Sequence, residues 1–142
     1  MKNEILIYNQ TRRKIPRERI LRVVSETLEF LKLKQPVELA VLIVGKETMK
    51  RLNKFWRGKN RAADELSFGL NSRQTPKFAK DFGNVLILGE IVINAEKISD
   101  PELLRKILVH GLLHLLGYDH EKSERSARRM ENLEEKILKF LD

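Results

Sequence analysis

The chain changes its hydrophobic period three times in its first 57 residues. ILIYNQ (Ile5 to Gln10) is apolar over the length of a strand. After Pro16, whose fixed φ suits the first turn of a helix, Ile20, Val24, Leu28 and Leu31 recur at helical spacing and predict an amphipathic helix. Pro36 breaks that pattern. LAVLIV (Leu39 to Val44), rich in β-branched residues and closed by Gly45, predicts a strand buried on both faces. Met49, Leu52, Phe55 and Trp56 then mark a second, short helix ended by Gly58.

DELSF (Asp64 to Phe68) predicts a strand, and the turn-rich Gly69 to Gly83 predicts a long mobile loop. NVLILGEIVIN (Asn84 to Asn94) is again strand-like, with Gly89 where a bulge or the close approach of another backbone requires it. Ser99-Asp100-Pro101-Glu102 reads as a capping box with proline in the first turn, opening an apolar helix through Leu103, Ile107 and Leu113 that Gly117 closes. From Glu121 onward, Ala127, Met130, Leu133, Ile137 and Leu141 line one face of a charged terminal helix whose charges read as a solvated outer face. The order β-α-β-α-β-β-α-α, without repeat or linker, predicts one α+β domain over residues 1–142, a mixed sheet packed with helices.

Composition narrows the chemistry. A 42% hydrophobic content over 142 residues suffices for one core. No apolar run reaches the 18 or so residues of a membrane helix and the N-terminus does not read as a secretory signal, so a cytoplasmic protein without membrane attachment is expected. There is no cysteine, so a transition metal would have to be held by imidazole and carboxylate. The net charge of +8 suits a polyanionic partner. It gathers in TRRKIPRER, with Arg12, Arg13, Lys14, Arg17 and Arg19, and in WRGKNR, with Arg57, Lys59 and Arg61; each cluster taken singly is also what a solvated surface looks like.

All three histidines lie in HGLLHLLGYDH, residues 110 to 120. His110 and His114 are one helical turn apart on one face, and Gly117 allows the left-handed turn that returns His120 to them. Three imidazoles leave a tetrahedral ion one open position, the arrangement of a catalytic zinc site, although nickel, copper or iron would also accept these ligands. The spacing is that of the metzincin proteases, but Gly111 stands where they carry the glutamate that serves as general base. Amide hydrolysis by that route is disfavoured. Chemistry needing mainly charge neutralisation, such as phosphodiester cleavage, fits better. Asp119 reads equally as a partner of a ligand, a competing fourth ligand or a turn former. Glu90 reads as an orienting partner of a histidine, a proton acceptor or an edge-strand carboxylate without a role. Phe55, Trp56 and Phe68 read first as core, with stacking on bases as the alternative.

HGLLHLLGYDH resembles the signature of the YbeY family of bacterial endoribonucleases. LNKFWRGKNRAADELSF (Leu52 to Phe68) and LGEIVIN (Leu88 to Asn94) resemble that family's Arg-Gly-Lys-Asp-x-Pro-Thr-Asp-Val-Leu-Ser-Phe block and Leu-Gly-Asp-Ile-Val-Ile strand. The likeness covers nearly the whole chain. It implies a zincin-like fold with a four-stranded mixed sheet and the metal site at the end of the central helix. It also implies one Zn²⁺ on His110, His114 and His120, and single-strand cleavage in maturation of the 3′ end of small-subunit (16S) ribosomal RNA and in ribosome quality control. Arg57 and His114 would be catalytic, and Arg12, Arg13, Lys14, Arg17, Lys59 and Arg61 would follow the RNA backbone. The implied partners are ribosomal RNA, the small ribosomal subunit, one of its proteins and the Era GTPase. Ala62 and Ala63 depart from Pro-Thr, Glu65 from Val, Gly69 from a proline and Glu90 from Asp. Two rivals stay open on the residues alone. One is a metal-dependent peptidase or small phosphoesterase with a base from elsewhere. The other is a non-catalytic ribosome assembly factor whose metal is structural.

Overall fold

The computed structural model describes residues 2–69 and 85–141. In chain order they form β1 (Glu4–Asn9), α1 (Arg17–Leu31), β2 (Val37–Val44), α2 (Lys46–Arg57), β3 (Glu65–Gly69), β4 (Leu86–Asn94), a 3-10 turn (Ala95–Lys97), α3 (Pro101–Leu115) and α4 (Glu124–Leu141). The described strands make one four-stranded mixed sheet in the order β1-β2-β4-β3. β1, β2 and β4 run parallel, and β3 pairs antiparallel with β4 at the edge. The α+β architecture with a four-stranded mixed sheet is the one expected. The predicted loop over 69–83 falls outside the described residues except for Gly69, which ends β3.

The sheet has unequal faces. One carries Val37, Leu39, Val41 and Ile43 of β2 with Leu88, Ile91 and Ile93 of β4, all buried in the main core under α1, α3 and α4. The other is covered by α2 at one end, where Met49 meets Val44, Leu66 and Val92 in a small second cluster. β2 is therefore not buried on both faces as predicted. Glu38, Ala40 and Leu42 are only half-buried, because a single short helix cannot cover the whole of that face.

α2 differs in the same way from the stripe read in the sequence. Met49 and Asn53 are its buried positions, while Phe55 and Trp56 stand in solvent. Packing rather than apolar spacing decided which side turned inward. α3 is capped by Asp100, one residue after the serine of the predicted box, because the Asp100 carboxylate reaches the N–H groups of Glu102 and Leu103 with Pro101 at the first helical position.

Gly89 sits at an irregularity in the β2–β4 pairing, with φ +125°. A β-carbon there would lie 2.1 Å from the Phe68 carbonyl oxygen of β3, and the neighbouring atoms it would meet are all β3 backbone, which cannot swing aside as a side chain could. This close approach holds β3 against β4. Gly89→Ala is expected to cost about 3 kcal/mol from a strained φ and overpacking, read as a lowered urea midpoint, and an unchanged midpoint would refute the close-approach reading.

Candidate metal centre

α3 is apolar around most of its circumference, and eight of its fifteen residues are buried. His110 and His114 are the polar interruption, half-buried where the helix meets the surface. The helix stops in a Schellman arrangement. Gly117, at φ +102°, donates its N–H to His114 O, and the Tyr118 N–H reaches Leu113 O. That reversal sends the chain back along its own end and brings in His120. One ring nitrogen of each histidine lies within 4.8 Å of the others. The Nε2 atoms of His110 and His114 are 3.0 Å apart, close to the roughly 3.3 Å between two nitrogens on a tetrahedral zinc with bonds near 2.0 Å.

The remaining nitrogen of His110 is fixed from α4. Its Nδ1 lies 2.6 Å from Glu134 Oε1. A carboxylate accepts from Nδ1–H, which leaves the Nε2 lone pair free for an ion. The same hydrogen bond raises the His110 pKa, with burial opposing it and the charge of Glu134 adding to it. His114 moves the other way. Burial lowers its pKa, and the neighbouring His110 and His120 lower it further. A neutral imidazole is the form that binds metal. The donor set of three imidazoles, one with its tautomer set, fits a zinc-type ion.

Beside this pair lies a carboxylate that sequence reading passed over. Glu65 and Ser67 of β3 face α3 at Gly111, where a β-carbon would come within 3.1 to 3.2 Å of Ile91 Cγ2, Ser67 Oγ and Glu65 Oε1. Gly111 is thus the point where the helix rests on the sheet, and a glutamate side chain there would have no room. Glu65 hydrogen-bonds Ser67 Oγ. Burial raises its pKa, opposed by the Ser67 bond and by the charges of His110, Arg57 and His120. The Ser67 hydroxyl, which donates to Glu65, also lies 3.4 Å from the Gly111 carbonyl.

Arg57 ends α2 and lines two clefts, one with Glu65, His110 and Glu134, the other with His114, Asp119 and His120. The loop after it is pinned at both ends. Buried Asn53 donates to Arg61 O, and buried Asn94 donates to Ala63 O while the Asn94 N–H reaches Asp64 O. Lys59 and Arg61 are thereby kept on the cleft with His110. Asp119 accepts from the Glu121 N–H, a turn-forming bond, while its charge raises the His114 pKa against the lowering by burial.

Other sequence candidates lie apart. Glu90 is exposed and registers with Ala40 and Phe68 on the sheet face opposite α3, because side chains alternate and its neighbour Ile91 takes the α3 side. It cannot orient a histidine from there. Arg12, Arg13, Lys14, Arg17 and Arg19 follow β1 and line neither cleft at the histidines; Arg13, Lys14 and Arg19 border a separate pocket with Ala95, Ile98 and Ser99 after β4. Arg13 and Arg17 donate to the carbonyls of Ala95 and Ile7. Glu134 was missed because it lies twenty-four residues from His110 on a helix whose charges read as solvated; its place beside Leu133 and Ile137 on the inward stripe was the available signal.

The endoribonuclease YbeY family model matches residues 6–142. An endoribonuclease YbeY from Thermodesulfovibrio yellowstonii is 41% identical over 82% of this chain and 76% of its own, and one from Syntrophomonas wolfei is 38% identical over 95% of both. A Thermotoga maritima protein solved in solution superposes with a TM-score of 0.61 at 23% identity, covering 96% of this chain and 88% of that one, a likeness of fold.

Glu134→Gln is expected to leave the fold intact and weaken zinc binding about 10- to 100-fold, since an amide can present its N–H to Nδ1 and favour the wrong tautomer. Competition against a chelator of known affinity measures this, and an unchanged affinity would remove Glu134 from the site. For Glu65 the folded pKa is raised, so the stability carried by its neutral form is complete below the ordinary carboxylate value and is lost as pH rises through the folded one. Glu65→Gln cannot ionise. Its melting temperature relative to wild type should therefore climb from about pH 4.5 upward, whereas a difference independent of pH would show that Glu65 ionises normally.

Proposed function

The chain belongs to the endoribonuclease YbeY family, and on that premise we propose a zinc-dependent, single-strand-specific endoribonuclease that matures the 3′ end of small-subunit (16S) ribosomal RNA, with one ion on His110, His114 and His120. Endoribonuclease activity, hydrolysis of RNA phosphodiesters, comes with the family. The metal's identity, the particular substrate and the residue roles are the proposal. One observation carries it: three imidazole donors converge at the exposed end of a buried helix, with Arg57 on the wall of the clefts they line.

A zinc ion bound there would supply Lewis-acid charge to the phosphodiester. His114 would hold that ion from α3 beside His110, whose ligating tautomer Glu134 keeps. The planar fork of Arg57 matches the non-bridging oxygens as charge grows on them. Lys59 and Arg61 draw the backbone towards the cleft, and Arg12, Arg13, Lys14 and Arg17 meet a longer strand outside it, so affinity falls as salt rises. Gly111 carries no side chain to serve as the base of the zincin route to peptide hydrolysis.

The same reading puts the protein in the cytoplasm and in ribosome quality control. Its partners there are the small ribosomal subunit, a small-subunit ribosomal protein and the Era GTPase. Among the described residues no helix is long and apolar enough to cross a membrane.

Elemental analysis paired with cleavage of precursor 16S ribosomal RNA tests site and function together. His114→Ala should lose both the ion and cleavage; a metal-free variant cutting at the wild-type rate would end the metal-centred reading. Arg57→Ala should keep the ion and lose about 10²- to 10³-fold in kcat, the usual loss for one preorganised donor to a developing oxyanion. Full activity in that variant would end the phosphate-clamp role.

A further inference from the structure

α2 turns the two largest aromatic side chains it has into solvent. Phe55 is 77% and Trp56 61% exposed, the highest values among the exposed large apolar residues of the described chain. They are not scattered. The Phe55 and Trp56 ring centroids are 5.0 Å apart edge to face, and Trp56 stands 5.6 Å from Phe68 of β3 in the same geometry. The three rings make a continuous ledge from helix to sheet edge, stiffened because Phe68 packs into the cluster with Met49 and Val92.

The ledge is set in positive charge. α2 carries Lys46, Lys50, Arg51, Lys54 and Arg57 against Glu47, so five positive charges less one negative give +4 in twelve residues, half the +8 of the whole chain. Lys59 and Arg61 follow directly. The opposite wall of the adjoining cleft bears Glu131, Glu134 and Glu135 of α4, so a polyanion approaching the histidines is repelled there and guided along α2. Arg57, the residue after Trp56, reaches both clefts at the metal centre. Exposed aromatic rings interleaved with cations beside a phosphate-directed arginine are the elements of a platform for unpaired bases, which offer both ring faces and charged backbone.

We propose that Phe55, Trp56 and Phe68 form a base-stacking subsite for unpaired nucleotides on the α2 side of the sheet edge, joined to the metal centre through Arg57, and that this ledge is what makes the protein prefer single-stranded over duplex RNA. A duplex hides its base faces in its own stack and can use only the charge. The inference rests on the phosphodiester reading of the histidine site but is measurable without cleavage.

Trp56 is the chain's one tryptophan, so its fluorescence reports on the ledge directly. The probes are a single-stranded decaribonucleotide, its duplex and an abasic strand of equal charge, each titrated into the full-length protein with and without EDTA. The single strand should quench Trp56 to saturation in both conditions, while duplex and abasic strand should not. Phe55→Ala and Trp56→Ala should each weaken single-strand binding, followed by anisotropy of labelled RNA, by roughly five- to a hundred-fold, the range for loss of one stacked base. Duplex binding should stay unchanged, Trp56→Phe should retain most single-strand affinity, and melting curves should confirm that the variants fold. Equal quenching by duplex, or undiminished single-strand binding in both alanine variants, overturns the proposal. So does quenching by phosphatidylserine vesicles but not by RNA, which would make the ledge a membrane contact. Quenching by RNA that the wild type never cuts would leave the subsite standing and the proposed activity refuted; cutting without quenching would do the reverse.

Discussion

At Gly111 the central helix touches the sheet with nothing between. Ile91, Ser67 and Glu65 fill the space where any side chain would begin, so α3 lies closer to β3 and β4 than side chains on both surfaces would allow. The position of the histidines follows from this contact. His110 and His114 lie on either side of Gly111, and bringing the helix down at that residue leaves His110 on the cleft between α4 and the end of α2 and His114 on the neighbouring cleft with His120. Gly89 does the corresponding work one layer below. By letting the Phe68 carbonyl pass at a distance no β-carbon would tolerate, it holds the edge strand that supplies Ser67 and Glu65. Two glycines, one in a helix and one in a strand, set the spacing of the layers that carry the site.

Within that frame, two carboxylates beside the same histidines have opposite tasks. Glu134 comes from the outer helix, accepts from His110 and is useful as an anion, because only an acceptor selects the tautomer that leaves Nε2 free. Glu65 comes from beneath, where burial outweighs the cations around it and favours the proton. Environment, not residue type, separates them.

The histidine site was largely legible because its information is local. One turn of helix, a glycine that reverses and a third histidine can be read within eleven residues, and Gly111 already argued against the protease route. The positions of strands and helices along the chain followed from periodicity in the same way. What could not be read depends on which side of an element faces which neighbour. Glu134 looks like its charged neighbours until α4 is laid across α3. Glu90 looked close to the site because it lies in a recognisable strand, yet alternation turns it to the other face. Phe55 and Trp56 fit an inward stripe by spacing, but α2 meets the sheet through Met49 and Asn53 and has no second layer to receive them.

Net charge shows the same limit from another direction. A total of +8 suggests a polyanion, but not where it would lie. The longer basic run, Arg12 to Arg19, is the more conspicuous in the sequence, yet two of its arginines serve the backbone carbonyls of Ala95 and Ile7, and none of the run lines the clefts at the histidines. The shorter set that ends α2 is held beside the histidines by two buried asparagines, Asn53 and Asn94, which anchor the following loop to helix and strand. Coulomb attraction falls with distance and is screened within about 10 Å in ordinary salt. Charges fixed at the cleft therefore act on an anion within it, and charges off it act mainly on how a long polyanion arrives. The loop asparagines, with no charge of their own, decide which of the chain's cations stand beside the histidines.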